Sequence, residues 1–135
     1  MIEEVFELVT GRFETTTPGP DFINLRCFGE DFARWIHSEL SAQSVSSSEP
    51  IQEDWGWSMI VSFERRKLTI SIGIFDESIG RTPANWRIGV GYEKTMNGIR
   101  SWFAPPPHAT LSKLSDLVEA VLRSNEQIMN LRRTP

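Results

Sequence analysis

The middle of the chain contains three successive segments in which apolar and polar residues alternate with a period of two. Polar turns separate the segments, and Gly80-Arg81-Thr82-Pro83 lies between the second and the third. Such alternation is typical of antiparallel strands that bury one face and leave the other open. The pattern therefore predicts an antiparallel β-meander. Its apolar positions are Trp57, Met59, Val61 and Phe63, then Leu68, Ile70, Ile72 and Ile74, then Trp86, Ile88, Val90 and Tyr92.

Two flanking segments have the spacing of amphipathic helices. The first is predicted to begin at Gly29-Glu30-Asp31, because acidic residues suit the unpaired amides of a helix start. The last is predicted to begin with Thr110 as its N-cap, and an extension through Ile128 and Met129 stays open. Arg132-Arg133 would then be cations at the end of this helix. The two apolar faces are Phe32, Trp35, Ile36 and Leu40, and Leu111, Leu114, Val118, Val121 and Leu122.

Together these elements predict one α+β domain over residues 1–135. A chain of 135 residues is long enough to bury a core of its own. We expect an antiparallel meander of three to five strands, with the two helices packed on its apolar face. Residues 2–13 fit either a short helix or an edge strand. Phe22–Cys27 alternates and suits a short strand or an extended lead-in to the first helix.

The charge and the cysteine content exclude several classes of protein. The net charge is −4 and the pI is near 5.2, which argues against binding to a nucleic-acid backbone. Cys27 is the single cysteine, so the sequence predicts neither a disulfide framework nor a Cys-based zinc site. His37 and His108 are far apart in sequence and make a poor metal site. The sequence predicts no catalytic residue, no metal ligand and no cofactor.

The N-terminal residues and the hydropathy bear on location. Met1-Ile2-Glu3-Glu4 lacks the basic and apolar regions of a signal peptide. No apolar run approaches the ~20 residues that a membrane-spanning helix needs. We therefore expect a cytoplasmic protein without a membrane partner.

The five residues Glu53-Asp54-Trp55-Gly56-Trp57 form a constrained corner before the first of the three strands. In a structural interpretation, Gly56 permits a bulge or a close backbone approach, while Trp57 begins the apolar stripe. In a functional interpretation, an exposed indole beside two carboxylates holds a cationic or sugar-like ligand.

The second face of the meander carries small residues. Such a face is flat enough for a backbone, a loop or an aromatic ring to lie closely on it. Either a chain terminus or the Pro-rich loop covers it, or it binds a partner. Within that loop, Trp102–Pro107 is either an extended ligand for a partner or only a stiff connection. The small residues are Ser58, Ser62, Thr69, Ser71, Gly73, Gly89 and Gly91.

Two motifs in the first half of the chain support a resemblance. They are Cys27-Phe28-Gly29-Glu30-Asp31, which continues to Trp35, and Glu53-Asp54-Trp55-Gly56-Trp57. Together they resemble a set of small uncharacterised bacterial proteins that pair a C-F-G-x-D helix start with an E-D-W-G-W strand start. No established activity comes with this resemblance, so it implies no catalytic residue. It does imply a bacterial cytoplasmic origin.

Three functional hypotheses remain. The first is a non-enzymatic protein that binds a protein partner, for example an immunity or accessory protein. The second is a small-molecule binder or enzyme with a pocket between Glu53-Asp54 and the helix start at Asp31. The third is a structural protein that associates with itself through the open face. The candidate binding residues are Asp31, Glu53, Asp54, Trp55, Ser71, Gly73, Gly89 and Gly91.

Overall fold

The computed structural model describes residues 2–99 and 107–135. The interpretation of Trp102–Pro107 as a partner ligand lies, apart from Pro107, outside the described residues. In the described ranges no helix is long and apolar enough to cross a membrane. The elements in chain order are β1 (Ile2–Thr10), α1 (Glu30–Ala42), β2 (Ser46–Ser47), β3 (Ile51–Glu53), β4 (Gly56–Phe63), β5 (Arg66–Ile74), β6 (Ala84–Tyr92), α2 (His108–Arg123) and β7 (Ile128–Thr134).

All strands belong to one antiparallel sheet with the order β2-β4-β5-β6-β1-β7, and β3 also pairs with β4. The predicted α+β class, with an antiparallel sheet and two helices, is confirmed. Strands β4, β5 and β6 are the predicted meander. The sheet has seven strands in the described residues, rather than three to five, because both ends of the chain and the two short strands β2 and β3 join it.

The N-terminal segment is an interior strand. β1 pairs with β6 on one side and with β7 on the other, so it is neither a helix nor an edge strand. Its alternation places Phe6 and Leu8 in the core, while Glu3 and Glu7 point to the opposite face. A strand with partners on both sides satisfies its backbone hydrogen bonds along both edges. The sequence of β1 alone does not reveal that it has two partner strands.

The C-terminal predictions need two corrections. The last helix ends at Arg123, and Ile128 begins β7 instead of extending that helix. Arg133 therefore lies on an edge strand, where it pairs with Glu4, Asp116 and Glu119, and does not cap a helix dipole. At its other end α2 begins at His108, with Pro107 before it. Thr110 lies buried in the first turn of α2 and is not its N-cap.

The core lies between the helices and one face of the sheet. In the ladders Trp57 pairs with Ile72, Ile72 with Ile88, and Ile88 with Phe6, so these side chains share a face. α1 contacts β2 and β4, whereas α2 contacts β6, β1 and β7. Both helices and β5 contribute apolar stripes to this core. The fully buried residues are Phe32, Ile36 and Leu40 of α1, Leu68, Ile70 and Ile72 of β5, and Leu114, Val118 and Leu122 of α2.

A long connection between β1 and α1 closes one end of the core. Phe13 stacks on Phe32 with ring centroids 4.0 Å apart, and Phe22 lies 5.3 Å from Trp57. The predicted strand at Phe22–Cys27 does not form, since this segment consists of turns and bends. Ile23 is 88% exposed, whereas Cys27 is buried, so the two residues do not share a buried face. Aromatic contacts, rather than a ladder, hold this connection in place.

Replacing Ser115 by alanine is expected to raise the stability of the fold. Ser115 is completely buried in α2, and its hydroxyl has no hydrogen-bond partner among the described residues. Removing an unsatisfied buried hydroxyl, with the better helix propensity of alanine, should stabilise by about 1 kcal/mol. Urea denaturation measures this change. The control is Ser38→Ala at an exposed position of α1, which gains only the propensity term. Equal gains in the two variants would contradict the role of the buried hydroxyl.

Candidate functional site

The second face of the sheet has a floor of small residues. In the ladders Ser58 pairs with Ser71 and Ser71 with Gly89, so three small residues form one row. Thr69 pairs with Gly91 in the next row. The Ser71 hydroxyl lies 3.5 Å from the carbonyl oxygen of Gly89, and the Thr69 hydroxyl lies 3.5 Å from that of Gly91. This face is therefore low and polar over the centre of the sheet.

The corner between β3 and β4 is held by backbone contacts on both sides. A Cβ atom on Gly56 would collide with the carbonyl oxygen of Ile72, so only glycine permits this approach. The Trp57 indole N–H donates to the carbonyl oxygen of Cys27 at 2.7 Å. The Cys27 thiol in turn donates to the carbonyl oxygen of Asp54 at 3.2 Å. These contacts fix the turn that projects Trp55 over the sheet.

Trp55 stands at the edge of a concavity on the small-residue face. Its side chain is 55% exposed, and its carbonyl oxygen lies 3.3 Å from where a Cβ of Gly73 would be. The concavity has a volume of about 550 Å³ and opens to solvent. We call it the trough. It is lined by Glu3, Glu53, Trp55, Ser58, Thr69, Ser71, Arg87 and Glu93.

The charges at the trough are mostly negative. Glu3 and Arg87 form an ion pair at 2.8 Å across the floor. Gly89 makes room for this pair, since a Cβ there would lie 2.6 Å from the Glu3 carboxylate. Glu53 accepts a hydrogen bond from the Ser58 hydroxyl at 3.1 Å. Glu53 and Glu93 form no ion pair with any described residue, so the trough attracts positive charge.

The structure brings together six of the eight predicted binding residues. Glu53, Trp55 and Ser71 line the trough. Gly73 lines a smaller depression of about 200 Å³ beside it, which shares Trp55, Ser71 and Arg87. Gly89 and Gly91 are buried in the floor, and the Glu3 carboxylate and the Ser71 hydroxyl lie close to Gly89.

The other two predicted residues do not line the trough. The exposed turn residue Asp54 contributes its backbone carbonyl to the corner. The Asp31 carboxylate accepts hydrogen bonds from the backbone N–H groups of Glu14 and Phe32, at 2.8 and 2.9 Å. Asp31 therefore ties the first connection to the start of α1, on the helix-covered side of the sheet. Asp31 lines neither the trough nor the smaller depression beside it.

Sequence reasoning missed three residues of the trough. Arg87 alternates between the buried residues Trp86 and Ile88, so its position on the small-residue face was readable from the pattern. Glu3 depends on the pairing of β1 with β6, because the two partners are 84 positions apart. Glu93 follows the end of β6, in a segment that the alternating pattern does not reach.

Cys27 is not activated as a nucleophile. Burial raises the pKa of its thiol above the ordinary value, and the negative charges of Asp54 and Asp76 raise it further. The reactive form of cysteine is the thiolate, and these surroundings disfavour it. His37 contacts the Ser47 hydroxyl through Nδ1 instead of approaching Cys27. Across the described residues, no group of three His, Cys, Asp or Glu side chains is arranged to hold a metal ion.

The trough thus combines an exposed tryptophan, one ion pair and two carboxylates that form no ion pair among the described residues, over a floor of small residues. This combination suits stacking and attraction of cationic groups. Comparison with known proteins adds no family to this description: no family model matches the chain, and no curated protein sequence matches it.

Proposed function

We propose that this protein is a non-enzymatic binding protein that recognises a protein partner with its small-residue face. The observation that carries the proposal is Trp55, which is 55% exposed at the edge of an open trough. Exposed tryptophan is costly to leave in water and is enriched at the centres of protein interfaces. A role as an immunity or accessory protein in the cytoplasm is one form of this function.

Two features of the face support a protein partner. The floor is made of small side chains, so a partner's backbone or ring can approach the sheet closely. The rim is polar and charged, as is typical of the surroundings of a binding hot spot. The net charge of −4 favours a partner whose surface is basic.

The volume of the trough favours a second candidate, a small-molecule binder. About 550 Å³ lies within the range of ligand pockets, which is roughly 300–1,000 Å³. Ligand pockets, however, bury most of their ligand's surface, whereas this trough is open to solvent. The third hypothesis, association with itself through the same face, makes a different prediction about oligomeric state.

Replacing Ser71 by arginine is expected to weaken partner binding strongly without unfolding the protein. Ser71 lies in the middle of the floor and is partly exposed, so a long side chain there fills the trough. The matched control is Ser38→Arg on the exposed side of α1. We expect one protein, captured from cells that express this chain and then purified, to bind the wild type and the control alike. Its affinity for Ser71→Arg should be at least about tenfold weaker.

Light scattering on the same variants separates the remaining hypotheses. A wild-type dimer that Ser71→Arg converts into a monomer would support self-association instead. A purified partner that binds all three proteins with equal affinity would contradict the use of this face.

A further inference from the structure

The trough is one part of a longer groove. The small depression beside it shares three of its lining residues, Trp55, Ser71 and Arg87. A third depression of about 360 Å³ shares Phe75 with the second and continues to β7. The three depressions therefore lie in series on the open face between β4 and β7, and we call this series the groove. The third depression is lined by Glu7, Leu8, Val9, Phe75, Glu77, Asn85, Asn130 and Arg132.

The length of the groove suits an extended peptide. Neighbouring strands lie about 4.8 Å apart, and four such spacings separate β4 from β7 in the strand order, which gives about 19 Å. An extended chain rises about 3.3 Å per residue, so about six residues would span the groove.

The charges along the groove favour a basic occupant. Five carboxylates and two guanidinium groups line it, and two of the carboxylates are already paired, Glu3 with Arg87 and Glu7 with Arg132. The other three, Glu53, Glu77 and Glu93, have no ion-pair partner within residues 2–99 and 107–135. They are spread along the groove rather than gathered at one point, because Glu77 lines the third depression and the other two line the first.

Trp55 adds a site for one particular side chain. Trp55 lines both the first and the second depression, and Glu53 lines the first. A guanidinium or ammonium group over an indole is attracted by the ring, and Arg stacks flat on it. A carboxylate at the same place strengthens the attraction for a cation.

From the groove, its charges and this indole, we infer that the partner inserts an extended basic segment of about six residues. An Arg or Lys of that segment lies on Trp55 beside Glu53, and further basic residues face Glu93 and Glu77. The inference rests on the proposed function and names the chemistry of the partner at the same face. A phosphate-bearing partner is disfavoured, because it would meet the carboxylates of Glu53, Glu77 and Glu93.

The inference is tested with a fluorescent six-residue peptide in which Arg and Ser alternate, and fluorescence anisotropy measures its affinity at low ionic strength. The wild type is expected to bind it, and added salt should weaken the binding. The double variant Glu53→Gln with Glu93→Gln should bind about tenfold more weakly, and Trp55→Ala about fivefold. Circular dichroism checks that both variants are folded.

The control double variant, Glu39→Gln with Glu126→Gln, removes the same amount of charge away from the groove, because both residues line a depression on the helix side. It should change the affinity by less than about twofold. Equal weakening in the two double variants, or no binding of the peptide by the wild type, would overturn the inference. If a purified natural partner still distinguished Ser71→Arg from wild type in that case, the proposed function would stand while the basic-segment inference failed.

Discussion

Replacing Gly56 by alanine is expected to destabilise the fold by about 3 kcal/mol, the largest effect that we predict for one added methyl group. The Cβ atom would collide with the carbonyl oxygen of Ile72 and approach Cα of Gly73 to 3.2 Å. Both contacts are with the backbone of β5 in the middle of the sheet. A flexible side chain could move aside, whereas a backbone carbonyl within a ladder moves only with its strand.

The matched control for Gly56 is Gly80→Ala. Gly80 has a φ of +81°, and nothing lies within 4 Å of the site where its Cβ would be. That variant should lose only the strain energy of a left-handed conformation, about 1–2 kcal/mol. Urea denaturation measures the free energy of unfolding of both variants, and the difference separates the cost of the backbone collision from that of the backbone strain. A Gly56→Ala variant as stable as Gly80→Ala would mean that the corner relaxes at little cost, and that it does not hold Trp55 rigidly.

Replacing Arg133 by methionine is expected to destabilise the protein by about 2 kcal/mol at neutral pH. The guanidinium group donates to Asp116 at 2.6 Å, to Glu119 at 3.0 Å and to Glu4 at 3.0 Å, and it lies 5.7 Å from the Phe6 ring centroid. Its side chain is only 22% exposed. Methionine keeps the apolar stem but removes the cation that Glu4 and Asp116 pair with, and it leaves Glu119 with Arg123 alone.

The effect of Arg133→Met should depend on pH. In the wild type, hydrogen bonds from Arg123 and then from Arg133 hold the pKa of Glu119 below its ordinary value. The unfolded chain therefore binds a proton more readily than the folded chain in the acid range, so the wild type loses this stabilisation as the pH falls below about 4. Protonation also removes the repulsion in the variant. The stability difference between wild type and variant should shrink at acid pH.

The control for this prediction is the neighbouring residue. Arg132 pairs with Glu7, but its side chain is 74% exposed. Arg132→Met should therefore cost less than about 0.5 kcal/mol, and its effect should be weakened further by salt. Denaturant titrations of both variants at neutral and acid pH provide the comparison. If Arg133→Met were equally destabilising at both values, packing rather than charge would explain its role.

The position of Arg133 illustrates which predictions from sequence fail. Val5 on β1 pairs with Thr134 on β7, near the opposite end of the chain. Such a pairing leaves little trace in local periodicity, so the short apolar segment at Ile128 and Met129 reads equally well as the end of a helix. The three central strands were predicted correctly because each is long, strictly alternating and adjacent in sequence to its partner.

The candidate site was predictable in part for the same reason. Trp55 and Gly56 predict a constrained corner, and the small residues Ser71, Gly73 and Gly89 predict a flat face. These are properties of single strands and turns. The ion pair between Glu3 and Arg87 joins two strands far apart in sequence, so neither strand predicts it alone. The predicted place of Asp31 beside the corner fails because its carboxylate binds the backbone N–H of Glu14 instead.

By itself, then, the amino-acid order determined which face of each central strand is apolar and which parts of the chain are amphipathic helices. Those properties follow from the local geometry of the backbone, where side chains repeat every two or about 3.6 residues. Only the tertiary structure decided that the first and last strands lie side by side in the sheet and that Glu3, Glu53 and Glu93 line one trough with Trp55. Strand order depends on the packing free energy of the whole molecule, to which distant segments contribute together, and no local repeat encodes it.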